Sequence, residues 1–187
     1  MPKVLVPLAK GFEEIEAVAM IDIMRRGGLE VLVRALDEKM DVVGANGITV
    51  KADGTMAGLG AEDIDMIALP GGWDGTYALA DDANVQALLK AMDAKGKNIG
   101  AICAAPFALK TAGVLKETYT CYPSAEDQIK QDGYQGDKAQ VVQTGNVMTS
   151  RGPGTAICFG LAIVKRLMGE ENYNAVREGT LSTLCDK

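Results

Sequence analysis

Apolar and polar positions alternate between two periods along this chain. Residues 3–8 (Lys-Val-Leu-Val-Pro-Leu) form a continuous apolar, β-branched run, the pattern of a buried strand. Residues 13–27 then place Ile15, Val18, Ala19 and Ile23 at helical spacing and stop on glycine. Residues 30–36 read as a second strand, and residues 41–50 as a hairpin turning at Asn46-Gly47, a dipeptide suited to the positive φ angles of a tight turn. A strand at 65–69 runs into Pro70-Gly71-Gly72, a helix at about 84–94 follows, and a further strand ends at Cys103. Beyond it the pattern predicts a helix to about Ala112, a short strand near Tyr119, and a hairpin pairing 140–143 with 147–149 across Gly145-Asn146. Pro153 opens an apolar helix to Met168, and a last helix covers about 171–178. Strands alternating with helices predict an α/β fold, a mostly parallel sheet covered by helices on both faces. No internal repeat, linker or low-complexity segment interrupts it, so residues 1–187 are read as one domain.

In such folds ligands bind beyond the carboxyl ends of the strands, where strand order reverses. Three candidate segments follow strands: 11–16 after the first, Gly71-Gly72 after the strand ending at Leu69, and Cys103 after the central one. In Ala101-Ile102-Cys103-Ala104-Ala105-Pro106 a strand ends at a thiol, small residues follow, and a proline fits the first helical position. That is the layout of a nucleophile elbow, in which a strained turn holds the nucleophile out over the sheet edge. The amides of the new helix would favour thiolate over thiol, which predicts a cysteine reactive at neutral pH. The other reading is a core-filling cysteine, since Cys is among the most buried residue types.

Composition narrows the chemistry. The formal net charge is −6, and lysine and arginine are scattered, so there is no electrostatic footprint for nucleic acid or an anionic membrane. No apolar stretch approaches the ~20 residues of a membrane helix. The first residues lack a signal-peptide pattern, so a soluble, cytoplasmic protein is expected. Four cysteines, at 103, 121, 158 and 185, are widely spaced without a CxxC pair, which argues against zinc or a disulfide framework and reads as four reduced thiols. The chain contains no histidine. Ser-His-Asp and Cys-His catalysis both use imidazole as base, so neither operates here, and histidine-containing metal sites are excluded with them. No carboxylate spacing supports an all-oxygen metal site.

Glu13, Glu14 and Glu16 crowd the start of the first helix, where carboxylates suit the macrodipole on a solvated face. Glu16 stands apart, because two residues beyond Glu14 it is rotated by ~200° about the helix axis, toward the interior. Buried beside a thiol, it would have a raised pKa, remain protonated and donate a hydrogen bond that stabilises the thiolate. In Gly71-Gly72 no side chain blocks the amides, so the pair fits either an ordinary strand-to-loop turn or donors to an oxyanion beside the sulfur. It is neither a P-loop nor a GxGxxG fingerprint, and no nucleotide is implied.

Four blocks in order, residues 9–16, 69–72, 101–106 and 149–155, resemble the ThiJ/PfpI superfamily, in the branch of the Parkinsonism-associated deglycase, and the similarity runs essentially end to end. The resemblance implies a flavodoxin-like three-layer sandwich, a homodimer, and a site in which Glu16 protonates toward the Cys103 sulfur while the amides of Gly72 and Ala104 form an oxyanion pocket. It implies cofactor-free detoxification of small reactive aldehydes or glycated substrates, as in glutathione-independent glyoxalases that convert methylglyoxal to lactate and in deglycases. It also implies an alternative, a redox-sensing or chaperone-like stress protein using oxidation of Cys103, and a non-catalytic binding subunit is a further alternative beside both. Many members carry a histidine near the cysteine, but this chain has Thr120-Cys121-Tyr122-Pro123, with Tyr122 at that place. A phenol with an unperturbed pKa of ~10 can donate a proton or orient water but is a poor base at neutral pH. Protease activity of the superfamily type, which needs Cys and His, is not available. Trp73, next to the glycine pair, either narrows the pocket to two- or three-carbon aldehydes or caps a loop.

Overall fold

The computed structural model describes residues 1–185. Its elements are β1 (Lys3–Leu8), α1 (Glu14–Arg26), β2 (Glu30–Ala35), β3 (Asp41–Val43), β4 (Thr49–Lys51), β5 (Gly54–Thr55), β6 (Met66–Leu69), α2 (Trp73–Asp81), α3 (Ala83–Ala94), β7 (Asn98–Ile102), α4 (Pro106–Ala112), α5 (Pro123–Ile129), β8 (Val141–Thr144), β9 (Val147–Ser150), α6 (Ala156–Met168) and α7 (Glu170–Gly179). Seven strands form one sheet in the order β5-β2-β1-β6-β7-β9-β8, parallel throughout except for β8 on the far edge. Strand order reverses between β1 and β6, so the ends of β1, β6 and β7 flank one crevice. The hairpin β3–β4 lies outside the sheet and turns at Asn46-Gly47, as its sequence predicts, with Gly47 at φ 81°.

Side chains of a strand alternate between faces, and here both faces are covered. Val4, Val6 and Leu8 of β1 pack with Met20, Ile23 and Met24 of α1 and with Phe159, Ile163 and Val164 of α6. Leu5, between them in sequence, faces the opposite layer with Ile67, Ile99, Leu88, Leu89 and Leu109. This is the three-layer sandwich. On the first face α1 and α6 approach closely at Gly160, where a Cβ would stand 2.9 Å from Ile23 Cβ and 3.3 Å from Met20 Cα.

Two helices have no counterpart in the apolar pattern. Helix α2 starts at Trp73 directly after Gly72, a cap without a side chain, and carries a glycine, Gly75, within its first turn. These are poor helix signals, yet Gly75 is needed because a Cβ there would stand 2.9 Å from the Phe12 amide nitrogen. Helix α5 is short and opens on Pro123, a start signal that its seven residues do not follow with an apolar stripe. Pro153 opens a 3₁₀ turn, Pro153–Thr155, rather than α6 itself. The short strand expected near Tyr119 is an isolated bridge to Tyr134.

The reading of four reduced thiols is corrected. Cys158 of α6 and Cys185 are joined by a disulfide, while Cys103 and Cys121 are free and buried. Twenty-seven positions of sequence separate the pair, and a spacing that long with no repeated motif gives no sequence signal. Replacing Gly160 by valine should destabilise the protein by about 1–3 kcal/mol through overpacking at the α1–α6 contact, read as a lower urea midpoint with an unchanged slope.

Candidate active site

The elements that end at the crevice bring Cys103, Glu16 and Gly71 into contact. Cys103 lies between β7 and α4 at φ 63°, a left-handed conformation that a non-glycine residue rarely adopts. Such a conformation costs on the order of 1–3 kcal/mol and persists only where surrounding bonds enforce it. Here the Cys103 amide donates to the Ser150 carbonyl at the end of β9 (3.0 Å), and the Cys103 carbonyl accepts from the Tyr122 amide (2.9 Å). The Ala105 amide closes the turn onto the Ile102 carbonyl at 3.0 Å.

Glu16 is fully buried in the first turns of α1. Its Oε2 accepts the Gly71 amide at 2.8 Å, while Oε1 is buried with no hydrogen-bond partner. Gly71 separates acid from thiol. A Cβ there would stand 2.6 Å from both Cys103 Cβ and Glu16 Oε2, and 3.1 Å from the sulfur. The Gly71 carbonyl in turn accepts the Glu13 amide (2.9 Å), which ties the loop after β6 to the start of α1. Gly71 thus serves as a spacer and binds the carboxylate. The amides that face the sulfur are those of Gly72 and Ala104.

Burial raises the Glu16 pKa to about 7; the Cys103 hydrogen bond and the Gly71 amide pull it down, and the charge of Glu13 pushes it up. The Cys103 thiol is also raised, first by burial and then by the charge and hydrogen bond of Glu16, against the opposing pull of the Gly72 and Ala104 amides. The expectation of a depressed thiol pKa is corrected: the helix amides are outweighed by desolvation and by an adjacent carboxylate. Two anions cannot sit side by side here, so a thiolate requires that Glu16 hold the proton. Cys121 is buried too, and its thiol is pushed up to about 12 by burial and by Glu126, against Arg151.

The three glutamates of the first turn play different parts. Glu13 caps α1, its Oε2 accepting the Glu16 amide at 2.8 Å. Glu14, expected on a solvated face, is buried and accepts from the Asn46 amide (2.6 Å), the Asn46 side-chain Nδ2 (2.9 Å) and the Ile48 amide (3.3 Å). Burial acts to raise its pKa, but those donors outweigh it and hold the carboxyl below its ordinary value. The hydrophilic type of Glu14 concealed this role, and only the adjacent Asn46-Gly47 turn signal pointed to a site in need of an anchor.

Trp73 begins α2 instead of capping a loop, and its ring stacks on Tyr77 at 5.2 Å between centroids, with Phe107 edge-on at 6.3 Å. No local pattern marks Tyr77 and Phe107; they share a wall with Trp73 only because α2 and α4 pack together. The Tyr122 backbone reaches the site through its amide, but its side chain is 45 % exposed. The ring lies over Gly152, with Cδ2 3.3 Å from where a Cβ would stand, and lines a cleft of about 310 Å³ with Arg151 and Pro153. The sulfur is not among the walls of that cleft. Among the described residues no three Cys, Asp or Glu side chains gather as a metal-binding group.

Comparison with known proteins gives the same outline. Protein dj-1beta of Drosophila melanogaster is 37% identical over 178 residues, 95% of each chain, and its crystal structure superposes with a TM-score of 0.91, covering 96% of this chain and 97% of that one. A Caenorhabditis elegans protein named glutathione-independent glyoxalase DJR-1.2 is 36% identical over 173 residues, 92% of this chain and 90% of its own. The structure of oxidized Toxoplasma gondii DJ-1 is 38% identical with a TM-score of 0.89, covering 97% of this chain and 98% of that one. With these likenesses in sequence and fold, and with residues 2–166 matching the DJ-1/PfpI family, the chain belongs to that family.

Proposed function

We propose that this protein is a cofactor-free, cysteine-dependent enzyme of aldehyde detoxification, acting on methylglyoxal, glyoxal or the corresponding glycated groups. The observation that carries the reading is a buried carboxylic acid in contact with a buried thiol beside Gly71. The family supports an aldehyde as the substrate of that pair, since a relative named as a glutathione-independent glyoxalase is 36% identical to this chain.

In this reading ionised Glu16 takes the thiol proton as the sulfur attacks the aldehyde carbon, and the amides of Gly72 and Ala104 stabilise the oxyanion of the hemithioacetal. Glu16 passes that proton to the oxyanion and, ionised again with its pKa raised to about 7, takes the proton of the former aldehyde carbon and delivers it to the adjacent carbonyl carbon, while the hydroxyl proton moves to the neighbouring oxygen, which leaves a 2-hydroxy thioester on Cys103. Water cleaves the resulting thioester, frees Cys103 and releases the 2-hydroxy acid, so that methylglyoxal plus water gives lactate with no other reactant. Tyr122, whose ring lies over Gly152 in the neighbouring cleft, orients water that enters from there, and the Trp73 ring limits substrate length. One domain carries this site, the enzyme acts in the cytoplasm, and it works as a homodimer. Exposed Ile15 and Val18 of α1 and Ile48 beside β4 provide an apolar face suited to a second copy.

A second reading is favoured by the two amides that face the sulfur and by the oxidized Toxoplasma relative. Peroxide would convert Cys103 to a sulfinate held by Glu16 and those amides, with the protein acting as a stress sensor or chaperone.

Purified protein given methylglyoxal should form lactate, and Cys103→Ser should abolish it. Tyr122→His should raise the rate toward the ~10²-fold that a well-matched base contributes. Loss of turnover in all forms, with peroxide still adding the mass of a sulfinate at Cys103, would replace the aldehyde reading with the redox one.

The acid's environment predicts a stability profile. Because the folded state holds the Glu16 proton more tightly than the unfolded chain does, stability falls as pH rises from about 4.5 to about 7. Glu16→Gln removes that dependence. Between pH 4.5 and 7.5 the variant should gain on the order of 3 kcal/mol relative to wild type in urea unfolding. Parallel profiles would show that Glu16 is not the shifted group. Sedimentation equilibrium at micromolar concentration should give about twice the 19.7 kDa chain mass, whereas Val18→Glu should yield monomer.

A further inference from the structure

The Cys158–Cys185 bond ties the segment after α7 to α6, and the proposed chemistry does not use it. Residues 180–182 are held by the end of α7, through Thr180 to Val176 (2.9 Å), Leu181 to Glu178 (3.1 Å) and Ser182 to Arg177 (3.0 Å). Leu181 is in the left-handed region at φ 55°, where the chain leaves the helix and turns back. The residues that follow sit against the start of β8: Gln140 Nε2 donates to the Leu184 carbonyl at 2.9 Å, and Cys185 borders a small cavity of about 190 Å³ shared with Val141, Ala162 and Tyr173.

Apolar burial holds this segment weakly, since Leu181 and Leu184 are 83% and 66% exposed. It lies against the residues that begin β8. Strand β8 is the last strand of the sheet, and an uncovered edge is a template for pairing with another chain. The disulfide therefore fixes, beside the start of β8, a segment that apolar contacts hold weakly.

We propose that Cys158–Cys185 is a dithiol-reducible latch that pins residues 183–185 against the start of edge strand β8. A thiolate of a dithiol reductant attacks the Cys185 sulfur, on the more exposed of the two residues, and displaces the Cys158 thiolate. The second thiol of the reductant then attacks the mixed disulfide and frees Cys185. Two electrons pass to the protein, the reductant becomes a cyclic disulfide, and both protein sulfurs end as thiols; the oxidised reductant reverses the exchange. Disulfides in reducing compartments are mostly of this transient or sensing kind.

The test uses the full chain, equilibrated with oxidised dithiothreitol or with reduced dithiothreitol, then alkylated and digested with trypsin without further reduction. The oxidised sample should yield peptides 152–165 and 178–187 as one linked species, and the reduced sample should yield them separately with Cys158 and Cys185 alkylated. Hydrogen exchange at residues 183–185 should rise about tenfold or more on reduction while β7 stays protected. Cys185→Ser should show the faster exchange under both conditions. Absence of the linked species in the oxidised sample, or equal exchange at 183–185 in both redox states, would overturn the latch.

Discussion

The structure around the crevice depends on the burial of one carboxyl group, Glu16, against the Cys103 sulfur. Burial raises the proton affinity of both groups, and both cannot be ionised together, so the surroundings must hold them in contact and share the proton between them. Several features follow from that constraint. Residue 71 has to be glycine, because a single methyl group would occupy the space that acid and thiol share. Cys103 has to take a left-handed backbone, and the end of β9 and the segment before α5 bind its amide and carbonyl to keep it there. The strain is local, and the enforcing bonds come from elements far apart in sequence.

The first turn of α1 shows how environment divides the labour of identical side chains. Glu13 remains a cap at the helix end. Glu14, sunk beneath the β3–β4 turn, collects three donors and is held ionised. Glu16 has the Gly71 amide on one oxygen and is held toward its protonated form by desolvation. Burial pushes both inner glutamates the same way; at Glu14 the donors outweigh it, and at the more deeply buried Glu16 the bonds from Gly71 and Cys103 do not. The buried Glu14 also anchors the hairpin beside α1, so the segment that supplies the acid is braced by the β3–β4 turn.

Much of the architecture was legible in the chain because it rests on local rules. The periods of 2 and 3.6, the glycine and proline punctuation and the Asn-Gly turn reflect forces acting within a few residues. They place β1, α1, β2, the β3–β4 hairpin, α3 and the β8–β9 hairpin within a residue or two of where they lie. Elements without a strong local pattern were not legible. Helix α2 carries a glycine early and starts from a glycine cap, and it exists because the loop after β6 must pass close to Phe12.

At the site the division is the same. The residues at the strand ends and the inward rotation of Glu16 follow from helix geometry and from the absence of histidine in the chain, so the sequence by itself determined that any acid–base partner for Cys103 is not an imidazole. Tertiary structure alone decided the proton affinities, because desolvation and Coulomb interactions depend on distances between α1, the β6 loop and β7 that no sequence spacing encodes. That is why the helix amides beside Cys103, read locally, pointed to a lowered thiol pKa, while the folded surroundings raise it. It alone paired Cys158 with Cys185, whose Cα atoms stand 5.1 Å apart across a separation of 27 residues. Local interactions specify which elements form; long-range packing specifies which side chains meet and in what charge state.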